Sequence, residues 1–266
     1  MSLSGGASRM ATKHAVVDEI IEEPRATARS EPKFFVWMAG VMFFGILLAF
    51  APTFFLSAYF PVDELPPRLI VHGTILTLWF GLYLLQSSLV AFGNRRLHAR
   101  LGKYIAALSV VAVVGGLLAT LFLVRHRLEG GADLETLVAT GMPVPWFNGF
   151  MLIGFVTCMT LGVMNRFRPE RHKRFMFLAF VSLYLPATGR IMALPQYFDA
   201  ERLIAPHGGI ILLTLFPLAL CIYDVLTRGR VHMISAVGTV ASPLLYVLAR
   251  YMSTTSLGEA VVRTLA

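Results

Sequence analysis

Charged side chains are scarce in this chain, and their scarcity excludes an ordinary soluble domain. Only 14% of the 266 residues are Asp, Glu, Lys or Arg, whereas soluble domains carry about 25%. Hydrophobic residues make up 56% of the chain, and the mean hydropathy is +0.70. The two cysteines, Cys158 and Cys221, fall in apolar runs and are expected to be small packing residues rather than a disulfide framework. The composition therefore predicts an integral membrane protein.

Several sequence motifs that are typical of particular enzyme reactions are also missing. The chain has no Walker loop, no HExxH, no G-x-S-x-G and no CxxC. No lysine lies deep in the last apolar run, so a retinal Schiff base has no attachment point. These absences leave polar residues inside the apolar runs as the remaining guide to function.

Seven apolar runs are long enough to cross a membrane as helices, which takes roughly 20 residues each. They cover residues 34–57, 69–92, 104–124, 146–165, 173–194, 203–226 and 232–252. We therefore predict an all-α polytopic membrane protein in which a first helix precedes three helical hairpins. Residues 1–33 are predicted to be a polar, flexible leader, 34–252 the transmembrane domain, and 253–266 a short tail.

Successive loops between these runs alternate between loops rich in cations and loops that contain acids. The loops after the second, fourth and sixth runs are rich in arginine, whereas the opposite connections carry acids such as Glu64, Glu129 and Glu201. Because Lys and Arg mark the cytoplasmic side, the pattern predicts a cytoplasmic N-terminus and an outer C-terminus. The net charge of +8 is then expected to meet anionic lipid headgroups, and nucleic acid is a poor candidate partner.

A histidine follows each arginine-rich loop, which suggests an internal repeat. The three loops read Asn-Arg-Arg-Leu-His98, Arg-Pro-Glu-Arg-His172 and Arg-Gly-Arg-Val-His232. Transporter folds contain such repeats and place binding sites between them. A basic-loop hairpin pattern without true duplication explains the similarity equally well.

Two other histidines stand near the starts of inward-running helices. Arg68-Leu-Ile-Val-His72-Gly is echoed by Arg202-Leu-Ile-Ala-Pro-His207-Gly. An ionisable residue at that depth is a functional candidate, and two facing imidazoles are the arrangement that holds a b-type haem. His72 and His207 are therefore the predicted axial ligands. The alternatives are another metal or substrate contact, and plain hydrogen bonding at the membrane interface.

His98, His172 and His232 are expected to gather near the cytoplasmic face. They are weaker candidates for a metal site or for a second haem, because the surrounding arginines disfavour a bare cation and suit haem propionates or lipid phosphates better. The interface interpretation competes with both.

Other polar or aromatic residues inside the runs are candidates for lining a pocket. Trp79 lies deep in the second run, and Gln86 stands beside two serines in an expected inter-helix hydrogen-bonding cluster. Pro186 is expected to kink the fifth run, and Arg190 must find a partner or extend outwards. Asp224 is expected to pair with Arg228 at helical spacing.

These motifs together resemble an uncharacterised family of bacterial multi-span membrane proteins with histidine-bearing hairpins. The resemblance covers nearly the whole chain from about residue 34. It includes His72-Gly with Gln86, Leu97-His-Ala-Arg-Leu-Gly102, Arg168-Pro-Glu-Arg-His-Lys-Arg-Phe-Met176 and Tyr223-Asp224. It implies a location in the bacterial inner membrane and no particular activity.

We therefore expect a haem b-binding redox or redox-accessory membrane protein. The alternatives are a transporter or binding protein for small molecules or lipids, an accessory subunit of a larger membrane complex, and a metal-dependent membrane hydrolase built on the cytoplasmic histidines.

Overall fold

The computed structural model describes residues 31–62, 64–139, 143–198 and 208–266. Within these residues the secondary structure is helical. The helices are α1 (Glu31–Phe50), α2 (Pro67–Ala91), α3 (Arg95–Leu121), α4 (Leu123–Glu129), α5 (Leu134–Ala139), α6 (Val144–Met164), α7 (Pro169–Ser182), α8 (Leu185–Ala193), α9 (Gly208–Arg228), α10 (Met233–Ser253) and α11 (Ser256–Leu265). A π-helical turn, Ala51–Phe55, extends α1, and 3-10 turns cover Ser57–Tyr59 and Leu194–Phe198.

Six of the described helices are long and apolar enough to cross a membrane: α1 with its π-helical turn, α2, α3, α6, α9 and α10. Helices α7 and α8 pass the same test only together, as a pair bent by 47°, and would make a seventh span. The all-helical membrane fold and its first helix plus three hairpins are thus confirmed. The direction in which the helices cross the membrane remains a prediction.

The bend in the fifth span lies where the proline predicted it. Helix α7 ends at Ser182, and α8 begins at Leu185 with Pro186 in its first turn. Proline has no N–H to donate, and its ring clashes with the carbonyl four residues earlier, here that of Ser182. Tyr184, inside the break, packs its hydroxyl against Gly45 of α1, where a Cβ would have no room.

Tight turns close the three hairpins at one end of the bundle. Gly93 follows α2 with φ +80°, and Gly229 follows α9 with φ +70°, the left-handed geometry that ends helices and that glycine adopts without strain. The turns are shorter than the sequence indicates, because α3 already begins at Arg95 and α7 at Pro169. Some of the loop arginines, such as Arg95 and Arg171, therefore belong to first helical turns. We call this end of the bundle the basic end.

Helix α7 lies at the centre of the bundle. It packs against α6, α9 and α10. The surrounding helices form a ring in which each contacts the next, in the spatial order α1, α2, α3, α6, α10, α9, α8 and back to α1. All five residues from Phe177 to Val181 are buried, as expected for a helical stretch that is apolar on every side. Gly238 of α10 allows the close contact, since a Cβ there would clash with Leu178.

The C-terminal segment is a helix that packs on the molecule at the end opposite the basic end. Val262 of α11 is buried against Val124 of α4, and Arg263 donates two hydrogen bonds to Glu135 of α5 at 2.8 and 2.9 Å. This contact holds the pKa of the Glu135 carboxyl below its usual value. The predicted tail, 253–266, is thus mostly an amphipathic helix.

Candidate functional site

His98 and His172 come together at the basic end, although they are 74 positions apart in the sequence. Their ring centroids are 6.1 Å apart, and the ring planes are at 82°. Each lies in the first turn of its helix. Asn94 caps α3 by accepting a hydrogen bond from the Leu97 N–H at 3.2 Å, and Pro169 opens α7 with its φ already set for a helix. Two rigid helix starts therefore fix this histidine pair.

The ring of His172 is oriented by a backbone carbonyl of the neighbouring helix. Its Nδ1 lies 2.8 Å from the carbonyl oxygen of Gly162 in α6. A carbonyl only accepts, so Nδ1 must carry the proton and donate. In the neutral ring the lone pair then resides on Nε2, which is the arrangement of most metal-binding histidines.

His98 and Gln86 both have buried polar atoms without hydrogen-bond partners in the described part of the chain. The Nδ1 of His98 makes no hydrogen bond there, and neither amide atom of Gln86 does, although the ring lies near the backbone carbonyl of Gln86. Gln86 is only 8% exposed. Native proteins contain few such atoms, and each one suggests a water, an ion or a ligand. Unused hydrogen-bonding capacity is therefore found at His98 itself and at Gln86.

Helices α2 and α3 meet along a polar row that includes Gln86. Three residues at heptad spacing on α2 face small residues at the same spacing on α3, as in coiled coils and membrane bundles. The facing pairs are His72 with Gly116, Trp79 with Ser109, and Gln86 with Gly102. We call this row the α2–α3 seam; it runs from the basic end to the opposite end.

Trp79 occupies the middle of the α2–α3 seam and is completely buried. Its Nε1 donates to the Ser109 hydroxyl at 2.7 Å, and that hydroxyl donates to the Ile105 carbonyl at 2.8 Å. Phe155 and Phe80 pack edge-on against its ring. The structure therefore places Trp79 in the aromatic core, and its predicted pocket role stays a prediction.

His72 lies in the second turn of α2, at the end opposite the basic end. Its Nδ1 is buried without a hydrogen bond. The nearest part of α3 is a glycine pair: a Cβ on Gly115 would lie 3.4 Å from Nδ1, and one on Gly116 would lie 3.9 Å from Cε1. His207, its predicted partner, lies outside the described residues, so the proposed pairing of His72 with His207 remains a prediction.

His232 has a different environment from the other two histidines of the basic end. It is the N-cap of α10, and its Nδ1 accepts a hydrogen bond from the Ile234 N–H at 3.1 Å. Among the described residues, no three His, Cys, Asp or Glu side chains form a group that could hold a metal ion. Burial and the positive charges of Arg174 and Arg228 lower the pKa of His232. Its described role is to cap a helix.

This cap predicts a loss of stability in acid. The pKa of His232 lies below 6.5 in the folded protein, so the folded state binds fewer protons than the unfolded chain, and the free energy of unfolding falls as pH drops below about 6.5. His232→Asn keeps an acceptor for the cap and removes this titration. We expect a smaller fall in the thermal unfolding temperature between pH 8 and pH 5 in this variant than in the wild type. Equal falls would contradict the assignment.

A buried ion network connects α7 to α9 beside His232. Arg174 and Asp224 are both inaccessible to solvent, and the Arg174 Nε donates to Asp224 Oδ1 at 3.1 Å. Arg174 also donates to Glu170 at 2.7 Å, as do Lys173 at 2.7 Å and Arg228 at 2.6 Å. The predicted partner of Asp224 was Arg228; the structure instead joins Asp224 to Arg174 and Arg228 to Glu170.

The burial of Arg174 was not predicted from the sequence, where this residue stands at the start of the fifth apolar run, next to an arginine-rich loop. The helix that carries it is the central one, so its first turns are enclosed by α9 and α10. A signal was available: Arg174 stands one helical turn after Glu170 and opens an apolar run.

Two further predicted pocket residues lie near the bend of the fifth span. Arg190 stacks over the Phe50 ring, with its guanidinium carbon 4.4 Å from the centroid, and donates to the Pro186 carbonyl at 3.3 Å. A cavity of about 40 Å³ lies on the other side of the bend, lined by Leu185, Ser182 and residues of α6, α9 and α10. It has room for a few water molecules, whereas ligand sites usually measure about 300–1,000 Å³.

Comparisons with known proteins leave the site to be interpreted from its own geometry. No protein-family model, curated protein or solved structure matches this chain. The resemblance to a bacterial family of multi-span proteins therefore stays a prediction.

Proposed function

We propose that this chain is a haem b-binding redox or redox-accessory protein of the bacterial inner membrane, in which His98 and His172 supply both axial ligands. The proposal keeps the cofactor expected from the sequence and moves its first site to the basic end. The observation that carries it is the contact between these two imidazoles.

The spacing of the pair fits coordination from opposite sides of one metal ion. Nitrogen ligands stand about 2.0–2.1 Å from such an ion, which places two opposed imidazole centroids roughly 6 Å apart. The observed separation is 6.1 Å. His172 is held through Nδ1 by the Gly162 carbonyl, which leaves Nε2 to bind and fixes the ring orientation.

The charges around the pair favour haem over a bare metal cation. Exposed arginines stand within one turn of both histidines, at Arg95, Arg100 and Arg168. Guanidinium groups repel an unshielded cation but form strong paired hydrogen bonds with carboxylates, and haem carries two propionates. A neutral two-histidine site with cationic surroundings therefore suits an anionic ring better than a divalent ion.

Haem bound here would supply one-electron redox chemistry. The residues of this chain would hold the ligand geometry and present cations to carboxylate groups. Burial and axial ligand identity are the means by which a protein sets such a potential. Transport through the bend of the fifth span remains an alternative with weaker support, given the small cavity there.

The absorption spectrum of the protein purified in detergent from haem-replete cells tests the proposal. We expect a Soret band, a pyridine haemochrome spectrum of b-type haem, and iron matching the haem by elemental analysis. A protein without a Soret band even after haem supplementation would overturn the proposal, whether or not zinc or copper is bound instead.

A further inference from the structure

We infer that the basic end is a binding surface for anionic phospholipids, and that its turns lie inside the headgroup layer rather than in bulk water. The surface consists of the three turns that close the hairpins and the first turns of the helices that follow them. The inference goes beyond the proposed function and does not depend on haem, because it uses other side chains of the same end.

The first support is an excess of exposed cations over free acids. Among the side chains that the structure describes at this end, the acids are Glu170 and Asp224, and both already bind cations of the buried ion network. Such a surface attracts the negative headgroups of anionic lipids more strongly than zwitterionic ones. The exposed cations outside the histidine site include Arg96, Lys103, Arg166, Arg171 and Arg230.

The second support is a large apolar side chain at each of the three turns. Phe92 follows α2 and is 86% exposed, Phe167 precedes α7 and is 82% exposed, and Met233 opens α10 and is 78% exposed. A single exposed apolar residue is ordinary, but here one recurs beside arginine at every turn. A headgroup layer accepts apolar side chains and cations together, whereas bulk water favours only the cations.

The third support is the stacking of cations on exposed aromatic rings. The guanidinium carbon of Arg166 lies 4.4 Å from the centroid of Phe167, and the Lys103 Nζ lies 4.9 Å from the centroid of Tyr104. Tyr104 is itself exposed. Each pair places a charge and an aromatic ring at the same level, which is the combination that membrane–water interfaces favour.

The lengths of the helices identify lipid, rather than a soluble acidic protein, as the occupant. Helices α2 and α3 have 25 and 27 residues, which is about 38 and 40 Å at 1.5 Å per residue. A bilayer is about 30 Å thick in its hydrocarbon core and about 40–45 Å with its headgroups. Because α2 ends at Ala91 and α3 already begins at Arg95, the turn between them reaches the headgroup layer without projecting beyond it.

The lipid retained by the full-length chain tests this inference. The protein is reconstituted into vesicles of equal parts phosphatidylglycerol and phosphatidylcholine, extracted in a mild detergent, and its bound lipids are quantified by mass spectrometry. We expect phosphatidylglycerol to be retained in severalfold excess, since each Lys or Arg near a charged headgroup layer favours the anionic lipid by about fivefold. Added salt should reduce this excess by screening.

Two matched double variants locate the binding surface. Arg96→Gln with Arg166→Gln removes two exposed cations of the basic end and should lower the phosphatidylglycerol excess severalfold. Arg125→Gln with Arg127→Gln, on α4 at the opposite end, removes two exposed cations that have acids such as Glu129 nearby, and should change the excess little.

Equal retention of the two lipids by the wild type would overturn the inference, and this result is decisive even if a variant fails to fold. An unchanged excess in the basic-end variant would also overturn it. Displacement of the lipid by soluble glycerol phosphate would indicate a site for a free anion, and tighter binding of a polyglutamate peptide than of phosphatidylglycerol would indicate an acidic protein partner; either would contradict a lipid surface. Haem content does not enter this measurement, so its failure leaves the proposed function standing.

Discussion

Arg174→Met should lower the free energy of unfolding by about 3–5 kcal/mol, because it leaves Asp224 as a buried charge without its counter-ion. Both side chains are inaccessible to solvent, and the Arg174 guanidinium also binds Glu170. The expected result is a large fall in thermal unfolding temperature in detergent, measured by circular dichroism.

A double variant separates the loss of the pair from the cost of an unpaired charge. Arg174→Met with Asp224→Asn removes both charges and keeps an acceptor for the His232 N–H, which donates to Asp224 at 3.1 Å. Because replacing both members of a buried pair is often close to neutral, we expect the double variant to recover more than half of the lost stability. Arg263→Met, which breaks an exposed ion pair with Glu135, is the control and should change little. A double variant less stable than Arg174→Met would contradict this account of the network.

His172→Met should keep the haem at the basic end and raise its midpoint potential, whereas His172→Ala should lose that haem. Methionine is an axial ligand that raises the potential when it replaces histidine opposite a second histidine, and its flexible side chain can reach the position of the imidazole. The measurement is a redox titration of the purified variants, followed through the absorption band of the reduced haem.

His126→Met controls for the methionine itself and should leave every potential unchanged. If His172→Met and His172→Ala both retained the wild-type haem and its potential, His172 would not be a ligand, and the pair at the basic end would have another purpose.

Much of the fold follows from local sequence. The length of the apolar runs predicted the spans. Pro186 predicted the bend of the fifth span, because proline lacks a backbone N–H and so disturbs the helix that contains it. Turn positions were less accurate: α3 begins at Arg95, since an Asn cap and arginine are compatible with a first helical turn. An apolar run indicates which part of a helix is hydrophobic, but it does not indicate the residue at which the helical hydrogen bonds begin.

The identity of neighbouring helices was not predictable in the same way. The sequence suggested His72 with His207 from their matching depth, and this pairing stays a prediction because His207 lies outside the described residues. The sequence also led us to expect that His98, His172 and His232 gather at one face, and the described contact joins His98 to His172. The depth of a histidine in the membrane follows from its position along its own helix. Which two histidines touch depends instead on which helix lies at the centre of the bundle, and no local pattern in the sequence identified α7 as that helix. The heptad spacing of His72, Trp79 and Gln86, which lie on the face of α2 that meets α3, was not recognised from the sequence.

The most direct test of the histidine pair is the haem-to-chain ratio of His98→Ala and of His172→Ala beside the wild type, each purified under the same conditions. If the two imidazoles hold one haem between them, each single variant loses the same haem, and the ratio falls by one in both. A wild-type ratio in either variant would contradict the account.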